Sequence, residues 1–313
     1  MKIIRAEHLG MCFGVRDAIA LAVNESAAAP LTILGELVHN ETVINDLRAR
    51  GVTIQADVTE VATPRVMITA HGASQRVLDQ ARARGLSVVE AICPLVHAAH
   101  RALAELVGAG FHPVIIGRRD HVEVRGLTGD LAEFDVVLEE PDVLALQERP
   151  RLGVMAQTTQ PTARVEHLVQ LIRRRFPASE VRFVDTVCRP TKQNQSAAAE
   201  LAQRSNVVIV IGGAHSNNTQ ELVKTCRRHC ARVHHVQGAV DLRAEWFHAG
   251  GMVGLTAGTS TPDDVIDEVE RAIASMNNGK DEFSTTGSKR EHQFGNDSIT
   301  PRKKFAESPA IFE

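Results

Sequence analysis

No apolar stretch in these 313 residues reaches the roughly 20 needed to cross a bilayer, so no membrane span is expected. Basic residues are not in excess either. Lys and Arg number 35 against 38 Asp and Glu, a net charge of −3, and without a basic field nucleic acid is not expected as a partner. The opening residues, MKIIRAEHLG, lack the charged, apolar and small-residue zones of a secretory signal, which makes the cytoplasm the expected compartment. No Gly-x-Gly-x-x-Gly fingerprint follows a strand-like run, so no built-in dinucleotide site is expected. Cysteine is scarce and odd in number: Cys12, Cys93, Cys188, Cys226 and Cys230. Five thiols spread over a long chain do not make a disulfide framework, which leaves them as free thiols or metal ligands.

What remains is an ordinary globular composition, 43% hydrophobic and 23% charged, in which short β-branched runs alternate with amphipathic stretches. Strands are expected at 31–35, 65–70, 112–117, 151–155, 181–185, 206–212 and 251–256, and helices at 74–84, 95–109, 162–175, 192–204 and 263–275. The alternation predicts an α/β fold with mainly parallel sheets. From about residue 277 the sequence is polar and aperiodic, and 277–313 is expected to be a disordered tail. Cys12, Cys93 and Cys188 lie 81 and 95 positions apart, each beyond a strand-like run. That spacing predicts three similar α/β units of roughly 90 residues, with domains expected at 1–93, 94–185 and 186–276 and each of the three cysteines coming from a strand end.

In open α/β sheets ligands bind beyond the carboxyl ends of the strands. The unusual polar residues of this sequence gather there: His71, His121 and Glu123, Gln157 to Thr159, Ser216 to Asn218, and Thr256 to Ser260, with His39 and Asn40 ahead of a helix. Small-residue loops running into helix N-termini direct backbone N–H groups at an anion, and hydroxyls, amides and imidazoles can bind phosphate without a lysine cluster.

Three thiolates can hold zinc with one position open, or three irons of a [4Fe–4S] cluster. Zinc sites commonly take two ligands from one tight knuckle, and these cysteines are lone and distant; both options stay open at this point. Cys226 and Cys230 sit in KTCRRHC, expected to be a solvated basic helix with two incidental thiols, outside any site.

The same residues resemble the 4-hydroxy-3-methylbut-2-enyl diphosphate reductase (LytB-type) family from about Met1 to Ala274. MCFGV at 11–15, HNETVINDL at 39–47, AHGAS at 70–74 and AICPLV at 91–96 are similar to its motifs, in order. HVEVRG at 121–126, QTT at 157–159, TVC at 186–188, GGAHSNNT at 212–219 and TAGTSTP at 256–262 follow. The resemblance implies three α/β domains around a central cavity and a [4Fe–4S] cluster on Cys12, Cys93 and Cys188. It implies diphosphate contacts from His39, His71, His121, Thr158, Ser216, Asn217, Asn218 and Ser260. Glu123 matches the acid that supplies protons, with Thr158 and His121 in its relay. The implied reaction removes the hydroxyl of a small allylic diphosphate, giving isopentenyl and dimethylallyl diphosphates. Electrons are then expected from an external ferredoxin- or flavodoxin-type donor. A paralogue acting on another allylic or acetylenic diphosphate, a non-catalytic iron–sulfur sensor, and a three-cysteine zinc hydrolase are the competing readings. Four positions depart from the family pattern. Val122 replaces a proline, Ile92 a threonine and Asn217 a serine, and Asn194 falls where arginine is frequent.

Overall fold

A computed structural model of the chain describes residues 1–38, 40–247 and 251–278. The first third carries β1 (Lys2–Arg5), α1 (Phe13–Ala28), β2 (Leu31–Leu34), α2 (Glu41–Ala49), β3 (Thr53–Gln55), β4 (Arg65–Ile68), α3 (Gln75–Ala83) and β5 (Ser87–Glu90). The middle carries α4 (Pro94–Gly108), β6 (His112–Ile116), α5 (Val122–Thr128), β7 (Asp135–Val137), α6 (Glu140–Ala145), β8 (Arg151–Ala156), α7 (Thr162–Arg175) and β9 (Glu180–Val184). The last third carries α8 (Arg189–Arg204), β10 (Val207–Ile211), α9 (Asn217–Arg227), β11 (Val233–Val236), β12 (Met252–Ala257) and α10 (Asp263–Asn278).

These strands form three four-stranded, wholly parallel sheets, ordered β3-β2-β4-β5, β7-β6-β8-β9 and β1-β12-β10-β11. The expected α/β architecture with parallel sheets is therefore present three times. Numbered within each unit, the first two sheets share the order 2-1-3-4. The third sheet has it too, if β1 is counted as the fourth strand after β10, β11 and β12. The first strand of the chain thus joins the sheet of β10, β11 and β12, with Lys2 beside Met252 and Arg5 beside Leu255. The reason is register: β1 is the edge strand that completes the same pattern on which the other two sheets close.

Burial on both faces accounts for the parallel sheets. Along β10 the alternate residues Val207, Ile209 and Ile211 pack on one side with Val265, Val269 and Ile273 of α10. Val208 and Val210 pack on the other with Ala198 and Leu201 of α8 and Leu222 of α9. Each fully buried aliphatic side chain contributes about 1.5–3 kcal/mol by leaving water, so a continuous apolar run is what this position requires.

Cys226 and Cys230 correct the sequence expectation. Both are buried in the core between β10, α8 and α9, and Cys230 lies beyond the end of α9 rather than on it. Cys226 follows Leu222 by one turn, and that apolar face turns inward while Arg227 and Arg228 stay outside. Among the described residues no helix is long and apolar enough to cross a membrane. Of the expected tail, residues 277 and 278 end α10, and the rest falls outside the described residues.

Candidate active site

The repeated strand order fixes where functional groups arrive. In a 2-1-3-4 sheet the chain reverses direction across the sheet between the first and third strands, and the crevice there opens beyond their carboxyl ends. After the first strands come Leu37 and Val38, then His121 and Glu123, then Ser216 to Asn218. After the third strands come His71, Thr158 and Ser260. Each fourth strand runs into a cysteine: β5 into Cys93, β9 into Cys188 and β1 into Cys12. All these residues line one cavity of about 740 Å³, its mouth included. The structure therefore brings together every site residue expected from the sequence except His39, which lies outside the described residues.

The three cysteines occupy the same structural position. Each is the N-cap residue of the following helix: Cys12 of α1, Cys93 of α4 and Cys188 of α8. Burial pushes all three thiols up, Cys188 to about 12. First-turn amides oppose this, from Gly14 and Val15 at Cys12 and from Leu95 and Val96 at Cys93. The Thr191 hydroxyl, 3.0 Å from the sulfur, does the same at Cys188. Such thiols stay protonated alone and ionise against a bound cation, which the helix ends then help to balance. Among the described residues no three His, Cys, Asp or Glu side chains stand close enough to hold a single metal ion. Gly14 makes room beside one sulfur, since a Cβ there would lie 2.7 Å from Cys93 Sγ.

Glu123 sits on the first turn of α5 and is 1% exposed. Its carboxylate accepts two hydrogen bonds from one residue, from the Thr158 amide at 2.7 Å and the Thr158 hydroxyl at 2.9 Å. Burial outweighs both and raises its pKa to about 7. His121 caps the same helix, its Nδ1 accepting the Glu123 amide N–H at 3.2 Å. That bond assigns the proton of the neutral ring to Nε2. The His71 ring stands edge-on to it, with centroids 5.6 Å apart. Val122 occupies the first helical position, where a proline is also well suited, so its substitution leaves the start of α5 in place.

On the opposite wall the Ser216 hydroxyl accepts the Thr219 amide at 3.3 Å, capping α9, and its proton remains to be donated. Asn217 Nδ2, both polar atoms of the Asn218 side chain and Ser260 Oγ are buried without a hydrogen-bond partner. Buried polar groups are nearly always paired, so a cluster of unpaired donors marks a place for an anionic ligand with several oxygens. Asn194, another departure, donates to the Ala257 carbonyl at 3.5 Å and so braces the loop leading to Ser260. Ile92 is half-buried near Gly72. Sequence reasoning missed Thr191, whose signal was a hydroxyl one turn beyond Cys188. It also missed the apolar walls Val15, Leu37, Val38, Leu95, Val96 and Pro190, which carry no local signal.

Three comparisons with known proteins agree. The chain is 36% identical over 280 residues to a 4-hydroxy-3-methylbut-2-enyl diphosphate reductase of Trichlorobacter lovleyi, covering 89% of this chain and 99% of that one. The enzyme of the same name from Methylibium petroleiphilum is 37% identical over 280 residues, covering 88% and 85%. Among solved structures, (E)-4-hydroxy-3-methyl-but-2-enyl diphosphate reductase, described as the terminal enzyme of the non-mevalonate pathway, superposes with a TM-score of 0.65. It is 33% identical and covers 88% of this chain and 99% of its own. The E-1-hydroxy-2-methyl-but-2-enyl-4-diphosphate reductase of Plasmodium falciparum, at 24% identity, shares the fold with a TM-score of 0.80, covering 86% and 87%. The profile of the LytB protein family matches residues 3–274, and the chain belongs to that family.

Proposed function

We propose that this chain reductively removes the hydroxyl of 4-hydroxy-3-methylbut-2-enyl diphosphate, giving isopentenyl and dimethylallyl diphosphates. The observation that carries this reading is the meeting, in one cavity, of three helix-capping cysteines with a buried carboxyl poised near neutrality. The donor set fits a [4Fe–4S] cluster on Cys12, Cys93 and Cys188: three thiols, one open position, and helix N-termini to offset thiolate charge. When bound, that cluster supplies electrons and Lewis acidity to the substrate's hydroxyl.

The protein's own groups do the rest. Asn217, Asn218 and Ser260 offer the unpaired polar atoms that a diphosphate would satisfy, with the Ser216 hydroxyl and the Nε2–H of His121 in the same cavity. Losing a hydroxyl as water consumes a proton, and forming the new C–H bond consumes a second. Glu123, with a pKa of about 7, still holds a proton at neutral pH and is acidic enough to give it up. Thr158 keeps the carboxyl aimed and can pass its hydroxyl proton on while being reprotonated by Glu123. The apolar wall of Val15, Leu37, Leu95 and Val96 suits a five-carbon chain and keeps water from the reacting carbon. Two electrons per turnover are delivered by an external carrier of the ferredoxin or flavodoxin type. The chain is proposed to act as three domains around this cavity, 1–93, 94–185 and 186–276, with β1 exchanged into the third.

The test is turnover without oxygen. Supplied with a chemical reductant and 4-hydroxy-3-methylbut-2-enyl diphosphate, the purified protein should form both five-carbon products. A brown, iron-loaded protein that leaves this substrate untouched would refute the reading.

A further inference from the structure

Behind the cavity, one buried chain of polar groups crosses from the second sheet's unit to the third's. Gln157 and Gln160, at the two ends of the loop that carries Thr158, are both fully buried. Gln157 Oε1 accepts from the Arg118 amide and from Gln160 Nε2, each at 3.1 Å, and Gln157 Nε2 donates to the Thr159 hydroxyl at 3.0 Å. Gln160 Oε1 accepts from Arg164 of α7 at 3.0 Å. The same guanidinium nitrogen donates at 3.2 Å to Glu221 of α9. The Glu221 side chain is 7% exposed and that of Arg164 21%. Its other partner, Lys224, at 2.9 Å, belongs to α9 itself and is 56% exposed. Glu221 lies one turn beyond Asn217 and Asn218 on the same helix.

The pair thus links two walls of the site: the loop of Thr158, which orients Glu123, and the helix end offering Asn217 and Asn218. We propose that Arg164 and Glu221 are positioning residues that set the separation between the diphosphate-binding end of α9 and the proton-donating loop. Neither touches the cavity. This rests on the functional reading above, in which those two walls hold opposite ends of one substrate. Removing Arg164 leaves the nearly buried Glu221 only the exposed Lys224, and removing Glu221 leaves Arg164 only Gln160; a charge so under-paired draws in water or swings its element outward. The amides of Asn217 and Asn218 then meet the diphosphate off their best geometry, while the chemistry at Glu123 keeps its own two hydrogen bonds.

The experiment compares Arg164→Met, Glu221→Met, Glu221→Gln and the double variant Arg164→Met with Glu221→Met, all as cluster-loaded protein. Turnover kinetics are measured beside calorimetric titration with isopentenyl diphosphate. Each Met variant should raise KM and weaken diphosphate binding about tenfold, equivalent to roughly 1.4 kcal/mol, with kcat within about threefold of the parent and iron content unchanged. Glu221→Gln, which still accepts a hydrogen bond from Arg164, should fall between parent and Met, and the double Met variant should lose less than the two single losses combined. If KM and diphosphate affinity stay within about twofold in both Met variants, or if only thermal stability falls, the proposal is overturned. It is equally overturned if the two single losses simply add in the double variant. A parent that binds isopentenyl diphosphate but turns over no substrate would count against the functional reading alone, with the titrations still deciding the positioning role.

Discussion

Glu123 acquires its chemistry from where it is placed. An ordinary glutamic acid has lost its proton by pH 5, whereas burial holds this one near 7 even against two hydrogen bonds from Thr158. Removing the ionisable group while keeping the shape, as in Glu123→Gln, should lower kcat by about 10²–10⁴-fold, with isopentenyl diphosphate affinity little changed. The same burial has a cost that stability measurements can read. Between pH 4.5 and about 7 the folded protein binds more protons at this position than the unfolded chain does. Stability therefore falls as pH rises through that window, by about 3 kcal/mol for this group. Denaturant unfolding of the cluster-free protein at pH 5 and pH 8 should show a smaller loss in Glu123→Gln than in the parent. Equal losses would mean that Glu123 is ionised in the fold at ordinary acidity.

At the scale of elements, each cysteine is the hinge between an edge strand and a helix. Gly14 is the tightest point of that arrangement, where α1 passes against the Cys93 sulfur. Gly14→Ala should fold, since the position is helical, but its methyl would push the thiol aside. The expected outcome is iron content cut to less than about half of the parent's, with Cys93 moved by even a few tenths of an ångström; full iron loading would show that the contact relaxes freely. The elements also show what the sequence could reveal. All six central strands were legible, because a strand buried on both faces reads as an unbroken apolar run, as VVIVI does in β10. Five of the six edge strands, β1, β3, β5, β7 and β11, were not among the expected runs. Three or four residues such as TIQ or VHHV carry too little pattern. The basic letters around Cys226 suggested a solvated helix, but a helix needs only one apolar face, and Leu222, Val223 and Cys226 supply it.

For the whole molecule, three sheets of one strand order converge on a single cavity, each sending a first-strand loop, a third-strand loop and a cysteine. The similar spacing of Cys12, Cys93 and Cys188, 81 and 95 positions, made the three-fold repetition visible, and the strand-end position of the polar residues made the site visible. The pairing of β1 with β12, some 250 residues away along the chain, was not legible, because nothing local in a four-residue strand names its partner. That pairing carries Cys12 to the other two cysteines, and the Arg164–Glu221 pair then braces two of the units from behind.

The central claim is that one cluster is held by the three cysteines that follow the fourth strand of each sheet. Iron and sulfide should be counted in anaerobically purified parent protein and in five single Cys→Ser variants. The account predicts about four irons per chain in the parent, retained in Cys226→Ser and Cys230→Ser and lost in Cys12→Ser, Cys93→Ser and Cys188→Ser. A full iron complement in any of those last three, or a parent that binds one zinc and no iron, would contradict it.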